Sequence, residues 1–243
     1  MERAGNIIAE RSIGLGEMSK FSVVSIDMFR TLVDVGGLLK YDRWQKLLKE
    51  NYTSELAQEC QFLLDSSWTK HFPRDRFALQ KQIAHLCFTD LLSKIPLEFS
   101  LSEAIKLTAE QHSLSKPFDD SIAFLNKVGK EYRICLASDA DEDVLGALRN
   151  MYAFDSVFTS EQLRIYKEWA DGRFFSAIIN HYGVNPEQII HIGDDVSEIV
   201  GASKVGIITC WLNRTSLEWS YDIKPDYEVG SLVEAAAILG IEI

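Results

Sequence analysis

The chain has 243 residues, enough for one large domain or for a core with a smaller second unit. Apolar residues make up 47% and charged residues 25% of it, which is ordinary for a globular protein and excludes collagen-like, low-complexity and wholly disordered chains. With 36 acidic and 25 basic side chains the formal charge is -11, which opposes non-specific attraction to nucleic acids and anionic lipids. We therefore expect neither a nucleic acid nor a membrane among its partners.

The first twenty residues are polar and aperiodic, and we interpret residues 1–20 as a loose extension outside the core. They contain no continuous apolar stretch and do not resemble a secretory signal. The most apolar run, residues 206–212, is far shorter than the roughly 20 residues needed to cross a bilayer. The four cysteines are scattered among apolar neighbours without a CxxC pair, which favours reduced packing residues of a cytoplasmic protein over a disulfide or zinc role.

The first predicted element is a buried strand that begins at Phe21, is rich in β-branched residues and ends at Asp27. Residues 35–116 then show helical periodicity, interrupted by Pro73 and Pro96, and predict a small separate helical bundle. Its predicted apolar faces are Trp44, Leu47 and Leu48; Leu56, Cys60, Leu63 and Leu64; and Leu79, Ile83, Leu86 and Phe88 to Leu91.

After Pro117 the pattern alternates between helix and strand. The predicted helices are 119–128, 142–151, 173–182, 197–204 and one from Ser231, and the predicted strands are 132–137, 156–159, 189–192, 206–212 and 227–229. Strands separated by helices imply right-handed crossovers and a parallel sheet covered on both faces. The predicted fold is therefore an α/β, Rossmann-like three-layer sandwich (21–34 and 117–243) with an inserted all-helical cap (35–116).

Polar side chains follow three of the predicted strands at the point where each strand ends. They are Asp27, Arg30 and Thr31 after the first strand, Ser138 and Asp139 after the second, and Asp194, Asp195 and Glu198 after a later one, with Lys167 in an intervening loop. In open parallel sheets, ligands bind outside the carboxyl ends of the strands. Such a set of groups can hold a divalent cation together with a phosphoryl or carboxylate group.

Each of these residues also has a simpler explanation. An aspartate that closes a strand is commonly a turn or helix-capping residue, and Asp194 and Asp195 could cap the helix that begins near Ser197. Ser138 alone is typical of a helix N-cap, and Lys167 alone of a solvated surface. Their order along the chain and their coincidence with strand ends favour a common site.

The segments VVSIDMFRTLVD, CLASD, RIYK and IIHIGDDVSE, followed by GASKVG, appear in the order found in the haloacid dehalogenase-like hydrolase (HAD) superfamily, which this chain resembles. The later CWLNR and PDYEVGSL segments are similar to the closing strands of that family. The helical insert looks like the cap of the dehalogenase and small-phosphatase branch. The resemblance implies a hydrolase that acts on a small anionic substrate.

The resemblance also implies roles for individual residues. Asp27 would be the nucleophile and a ligand of Mg²⁺, with Thr31, Ser138 and Lys167 as further catalytic residues. The implied metal ligands are Asp27, the backbone carbonyl of Phe29, Asp194, Asp195 and Glu198, and the implied substrate-binding residues are Arg30, Ser138, Asp139 and Lys167. Among the histidines, we expect His71 on the surface of the cap, His85 on a packed helical face, and His191 in the core or behind the site.

The chain departs from the phosphatase pattern at Phe29, where family phosphatases have an aspartate that protonates the leaving group. Acid–base catalysis contributes roughly 10²- to 10⁴-fold, so phosphate esters with poor leaving groups should react slowly. Dehalogenases of the family have an aromatic residue there, and a departing halide needs no proton, but that reaction favours a metal-free carboxylate. The site nevertheless combines Asp27 with Asp194, Asp195 and Glu198. Each pair of these carboxylates at about 5 Å costs roughly 3 kcal/mol of repulsion at an effective dielectric constant near 20, and a bound divalent cation would relieve it.

Three further departures surround the predicted site. Arg30 replaces a glycine and could bind or block an anionic substrate. Asp139 replaces an asparagine and could supply the missing acid, although a solvated turn residue is the simpler interpretation. Glu168 stands where a proline commonly follows the lysine.

The sequence as a whole predicts a cytoplasmic, Mg²⁺-dependent hydrolase of phosphatase type that prefers good leaving groups. Two alternatives stay open: a metal-independent 2-haloacid dehalogenase, and a catalytically impaired protein that binds phosphate and metal. The sequence makes no prediction about the oligomeric state.

Overall fold

The computed structural model describes residues 21–35 and 37–243, so the predicted N-terminal extension lies outside the described residues. In the described chain, six strands form one sheet in which every pairing is parallel. In chain order they are β1 (Val23–Ile26), β4 (Arg133–Ser138), β5 (Ser156–Thr159), β6 (Ile189–Gly193), β7 (Ile208–Leu212) and β8 (Tyr227–Val229). The order across the sheet is β5-β4-β1-β6-β7-β8, which confirms the predicted α/β fold class.

Helices cover both faces of the sheet, as the nearly continuous apolar strands predict. The flanking helices are α5 (Ser121–Val128), α6 (Glu142–Leu145), α7 (Ser160–Leu163), α8 (Arg173–Tyr182), α9 (Val196–Lys204) and α10 (Leu232–Ile238). The alternation along β1 sends Val24 and Ile26 to the hydrophobic cluster that holds α5 and α10, and Val23 to the cluster that holds α8. Val23, Val24 and Ile26 are fully buried, so β1 is packed on both faces and supports the loop that follows it.

Between β1 and β4 the chain forms a four-helix cap with a hydrophobic core of its own. The cap consists of α1 (Gly37–Leu48), α2 (Ser54–His71), α3 (Gln80–Lys94) and α4 (Leu101–Ser113). Its core includes Trp44, Cys60, Cys87 and Phe88. The chain enters and leaves the cap through two short antiparallel strands, β2 (Val33–Asp34) and β3 (Lys116–Pro117).

The cap is fastened to the sheet unit by Asp141, a fully buried residue in the loop after β4. Its two carboxylate oxygens accept the backbone N–H groups of Gln80 and Lys81 at 2.9 Å each. These N–H groups belong to the first turn of α3, where the helix itself supplies no acceptor. The Tyr166 hydroxyl and the Trp169 indole also donate to cap carbonyls, each at 2.6 Å. These contacts hold the cap over the carboxyl edge of the sheet.

Several predicted details are wrong. The helix predicted over 142–151 ends at Leu145, because Gly146 has a φ of +43° and the chain continues as a 3₁₀ helix to Asn150. On α3 the side chains of His85 and Leu86 are exposed, since the helix packs through Ile83 and Ala84 and, one turn later, Cys87 and Phe88. Strands β2 and β3 and helix α7 were not predicted. Among the described residues, no helix combines the length and apolar character needed to span a bilayer.

Candidate active site

A cavity of about 210 Å³ opens at the carboxyl edge of the sheet, below the cap. Among the described residues, those that line it are Asp27, Phe29, Arg30, Trp68, Gln80, Ser138, Asp139, Lys167, Glu168, Asp194, Asp195, Ser197 and Glu198. The structure therefore brings together the residues that follow β1, β4 and β6, and adds Lys167 from the loop after α7. Of the predicted site residues, only Thr31 does not line the cavity; it is buried behind Asp194.

Lys167 lies at the centre of the site and holds two carboxylates. Its Nζ donates at 2.5 Å to Oδ1 of Asp27 and at 2.5 Å to Oε2 of Glu198, and at 2.8 Å to the carbonyl oxygen of Ala137. Asp27, Lys167 and Glu198 are all buried, which confines the carboxylate of Asp27 to one orientation. Lys167 is therefore an ion-paired residue of the cavity and not a solvated surface lysine.

Burial and ion pairing pull the pKa values of these groups in opposite directions. Burial raises the pKa of Asp27 to about 7, although Lys167 opposes the shift. Burial also works to raise the pKa of Glu198, but Lys167 and His191 outweigh it and the pKa falls below its usual range. Burial disfavours the charged form of Lys167, yet Asp27 and Glu198 raise its pKa above the usual range. Lys167 is thus a permanent cation near neutral pH, beside an aspartate whose pKa is raised towards neutrality.

Asp194 and Asp195 follow β6 and differ in their surroundings. Asp195 is the N-cap of α9: its Oδ1 accepts the backbone N–H of Ser197 at 2.8 Å, while Glu198 accepts the N–H of Asp195 at 3.0 Å. Asp194 caps nothing, and its Oδ1 faces the Thr31 hydroxyl at 3.4 Å. Burial, together with nearby Glu198 and Asp27, raises the pKa of Asp194 to about 8. The capping interpretation is therefore correct for Asp195 and wrong for Asp194.

Arg30 covers this acidic pair from the cavity mouth. Its Nε lies 3.0 Å from Oδ2 of Asp194, and its Nη2 lies 3.4 Å from Oδ2 of Asp195. The backbone of Arg30 has a φ of +66°, a conformation that favours glycine. The guanidinium therefore engages carboxylates of the chain itself.

Ser138 is the last residue of β4 and Asp139 follows it, and the two side chains have different environments. The Ser138 hydroxyl is fully buried, lines the cavity, and has no hydrogen-bond partner within the described residues. Asp139 accepts the backbone N–H groups of Lys167 and Glu168 at 2.8 and 2.9 Å. Burial raises the pKa of Asp139 to about 6 against these hydrogen bonds. Ser138 is thus available to a ligand, whereas Asp139 orders the loop that carries Lys167.

Phe29 contributes an apolar surface at the position that the phosphatase pattern fills with an acid. Its ring meets the His112 ring edge to face at 5.3 Å between centroids, so it packs against the cap. Trp68 and Gln80 are the cap residues that line the described cavity. The sequence analysis placed neither in the site, because only the docked position of α2 and α3 brings them there.

Two of the histidines considered in the sequence analysis lie close to acidic side chains, one within the cap and one in the core. His71 pairs with Asp90 at 2.9 Å within the cap. His191 is fully buried, with Nδ1 at 3.0 Å from the Ser25 hydroxyl and Nε2 at 3.3 Å from Oε2 of Glu198. His191 therefore lies in the core behind Glu198, as predicted.

The donor set suits a hard divalent cation in its chemistry. Asp27, Asp194 and Glu198 each offer a carboxylate oxygen, and these oxygens lie within 4.8 Å of one another. However, each of these carboxylates already contacts a cationic side chain, Lys167 or Arg30. The cluster could hold Mg²⁺, but a cation would have to compete with the charges that the chain supplies.

Comparison with known proteins identifies the class. A model of the haloacid dehalogenase-like hydrolase family matches residues 23–206, and the chain belongs to this family. It is 25% identical over 219 residues to (S)-2-haloacid dehalogenase 4A of Burkholderia cepacia, covering 88% of this chain and 92% of that enzyme. It is 23% identical over 203 residues to haloacetate dehalogenase H-2 of Moraxella sp. (strain B), covering 81% and 88% respectively.

Solved structures agree on the fold. L-2-haloacid dehalogenase from Xanthobacter autotrophicus superposes with a TM-score of 0.75 at 16% identity, covering 90% of this chain and 98% of that one. The HAD-hydrolase YfnB from Bacillus subtilis, solved bound to magnesium, gives 0.73 at 18% identity, covering 91% and 99%. A dehalogenase and a magnesium-bound relative thus share one architecture, so the fold does not decide the chemistry of the site.

Proposed function

We propose that this hydrolase displaces halide from a small 2-haloacid, with Asp27 as the nucleophile and without a metal ion. The observation that carries the proposal is Phe29, an apolar side chain that packs beside the nucleophile where a proton donor would be needed for an alcohol leaving group. A halide leaves as a stable anion and needs no proton. The curated dehalogenases similar to this chain support the same chemistry.

The proposed reaction has two steps. An oxygen of Asp27 attacks the substrate carbon, a carbon–oxygen ester bond forms, and the carbon–halogen bond breaks with its electron pair on the halide. Water then attacks the carbonyl carbon of the aspartyl ester, which releases the 2-hydroxyacid and a proton and restores Asp27. Lys167 holds Asp27 in place, and the free Ser138 hydroxyl is positioned to donate to the substrate carboxylate.

Magnesium-dependent phosphoryl transfer is the second candidate, because three carboxylates lie within 4.8 Å of one another. Magnesium, when bound, supplies positive charge against a phosphoryl group. Asp27, Asp194 and Glu198 would hold it, and the backbone carbonyl of Phe29 and the side chain of Asp195 are the remaining ligands that the family resemblance implies. In this candidate Asp27 attacks phosphorus, and the missing acid restricts the enzyme to good leaving groups.

One experiment separates the two candidates. Chloride release from 2-chloropropionate is measured with EDTA present, and phosphate release from para-nitrophenyl phosphate and acetyl phosphate with and without Mg²⁺. The proposal expects chloride release that EDTA does not reduce and that the Asp27→Asn variant loses. Asp222→Asn, at an exposed position, is the matched control. Phosphate release that depends on Mg²⁺ and on Asp27, without chloride release, would replace the proposal with the second candidate.

We also propose a cytoplasmic location. The four cysteines are buried free thiols in the described structure, and a reducing compartment maintains them in that form.

A further inference from the structure

Asp194 is a half-buried acidic residue whose two oxygens are both engaged within the chain. Oδ2 forms an ion pair with Nε of Arg30 at 3.0 Å, and Oδ1 faces the Thr31 hydroxyl at 3.4 Å. Its backbone carbonyl accepts the indole N–H of Trp211 at 2.8 Å, so the residue is also fixed along the chain. A cation that took Asp194 as a ligand would have to compete with the positive charge of Arg30 for this carboxylate.

Arg30 is held in this position by the backbone. Its φ of +66° places the side chain on the side of Asp194, and its N–H donates to the carbonyl of Val33 at 2.7 Å in a tight turn. A residue with a Cβ is costly in this conformation, and glycine would occupy it more easily. The chain thus bears a local cost to place a guanidinium against two carboxylates.

The cationic side chains of the cavity contact the same carboxylates that a metal ion would use. Lys167 forms ion pairs with Asp27 and Glu198, and Arg30 forms ion pairs with Asp194 and Asp195. Among the described residues that line the cavity these are the two cations, and between them they contact every carboxylate that the family resemblance assigns to a metal. Each of these carboxylates is therefore already paired with a cation of the chain itself, although the six acidic side chains that line the cavity outnumber its two cations.

We propose that Arg30 is a specificity-determining residue that acts as a tethered cation, occupying Asp194 and Asp195 and keeping divalent metal ions out of the cavity. The inference deepens the proposed function, since it explains how a cavity with so many carboxylates works without a metal. It is tested by binding in the absence of substrate, so its failure is distinguishable from failure of the dehalogenase proposal.

The test is a titration of Mn²⁺ into the full chain. Binding is measured by calorimetry and by the loss of the electron paramagnetic resonance signal of the free ion. We expect Arg30→Gln and Arg30→Gly to bind Mn²⁺ at least about tenfold more tightly than the unchanged protein, and Arg30→Lys to bind as weakly as the unchanged protein. Arg173→Gln is the matched control, because Arg173 is also exposed and paired with an aspartate, but does not line the cavity. Near-ultraviolet circular dichroism verifies that each variant is folded.

A second substitution localises the effect. Adding Asp194→Asn to the Arg30→Gly variant should remove the gained affinity. The proposal is overturned if Arg30→Gln and Arg30→Gly bind Mn²⁺ no more tightly than the unchanged protein or Arg173→Gln. It is equally overturned if the gain persists after Asp194→Asn, since the ion would then bind elsewhere.

Discussion

Replacing Lys167 by methionine keeps most of the aliphatic stem and removes the charge that holds Asp27 and Glu198. At 2.5 Å and an effective dielectric constant of about 20, each contact contributes roughly 7 kcal/mol of attraction before desolvation is subtracted. Removing one partner of a buried ion pair generally costs about 3–5 kcal/mol, because the remaining charge is uncompensated. We therefore expect Lys167→Met to lower the free energy of unfolding by about 3–5 kcal/mol at pH 7.5.

The loss of stability in Lys167→Met should depend on pH, because the substitution changes the pKa of Glu198. With Lys167 present, the pKa of Glu198 is lowered, so its contribution to stability is present above its unfolded pKa and is lost as the pH falls. Without Lys167, burial raises that pKa above the unfolded value, so the penalty is present at high pH and disappears as the carboxyl is protonated. The difference in stability between the two proteins should therefore shrink as the pH is lowered from about 8 towards 5.

Urea unfolding, followed by circular dichroism, measures both effects. Arg30→Gln is the comparison, because 63% of the Arg30 side chain is accessible and solvent screens its ion pairs, so the substitution should cost no more than about 1 kcal/mol. A loss for Lys167→Met as small as that for Arg30→Gln, or a loss that does not depend on pH, would refute the reasoning.

Three further predictions concern the proposed nucleophile Asp27, its apolar neighbour Phe29 and the cap. Because the pKa of Asp27 is raised to about 7 and only the carboxylate attacks, initial rates of chloride release should rise between pH 6 and pH 8; a flat profile would contradict this. Phe29→Asp should reduce chloride release about tenfold or more, since a new carboxylate repels the anionic substrate, while Phe29→Tyr should retain it; equal rates for the two variants would argue against this role. Asp141→Ala should lower the free energy of unfolding, measured in urea, by about 1–3 kcal/mol, because it leaves two N–H groups of α3 unpaired. The control Asp143→Ala removes an exposed ion pair and should cost less than about 1 kcal/mol.

The six strands of the main sheet and their order in the chain were predictable because their signals are local. Three of the four residues of β1 are apolar and β-branched, and the polar residues at the ends of β1, β4 and β6 mark the edge where a parallel sheet assembles a site. Asp27, Ser138, Lys167 and Asp194 therefore converge as expected.

The remaining features depend on contacts between distant segments. Asp141 looks like an ordinary loop residue in the sequence, and only the docked cap shows that it caps α3. Trp68 enters the cavity for the same reason. The position of Arg30 follows from a positive φ that its residue type disfavours, so no propensity indicates it. Asp139 carries the kind of side chain expected of a ligand-binding residue, yet both of its oxygens are used by the backbone of the Lys167 loop.

Isotope transfer tests the role of Asp27 most directly. The enzyme is incubated with 2-chloropropionate in water enriched in ¹⁸O, and the peptide that contains Asp27 is analysed by mass spectrometry after many turnovers. If the substrate is transferred to Asp27 and water then attacks the ester carbonyl, ¹⁸O accumulates in the Asp27 carboxylate, and in a single turnover the product hydroxyl carries ¹⁶O from the enzyme. Incorporation of ¹⁸O into the product alone, with the Asp27 peptide unchanged, would show that water attacks the substrate directly and would contradict the account.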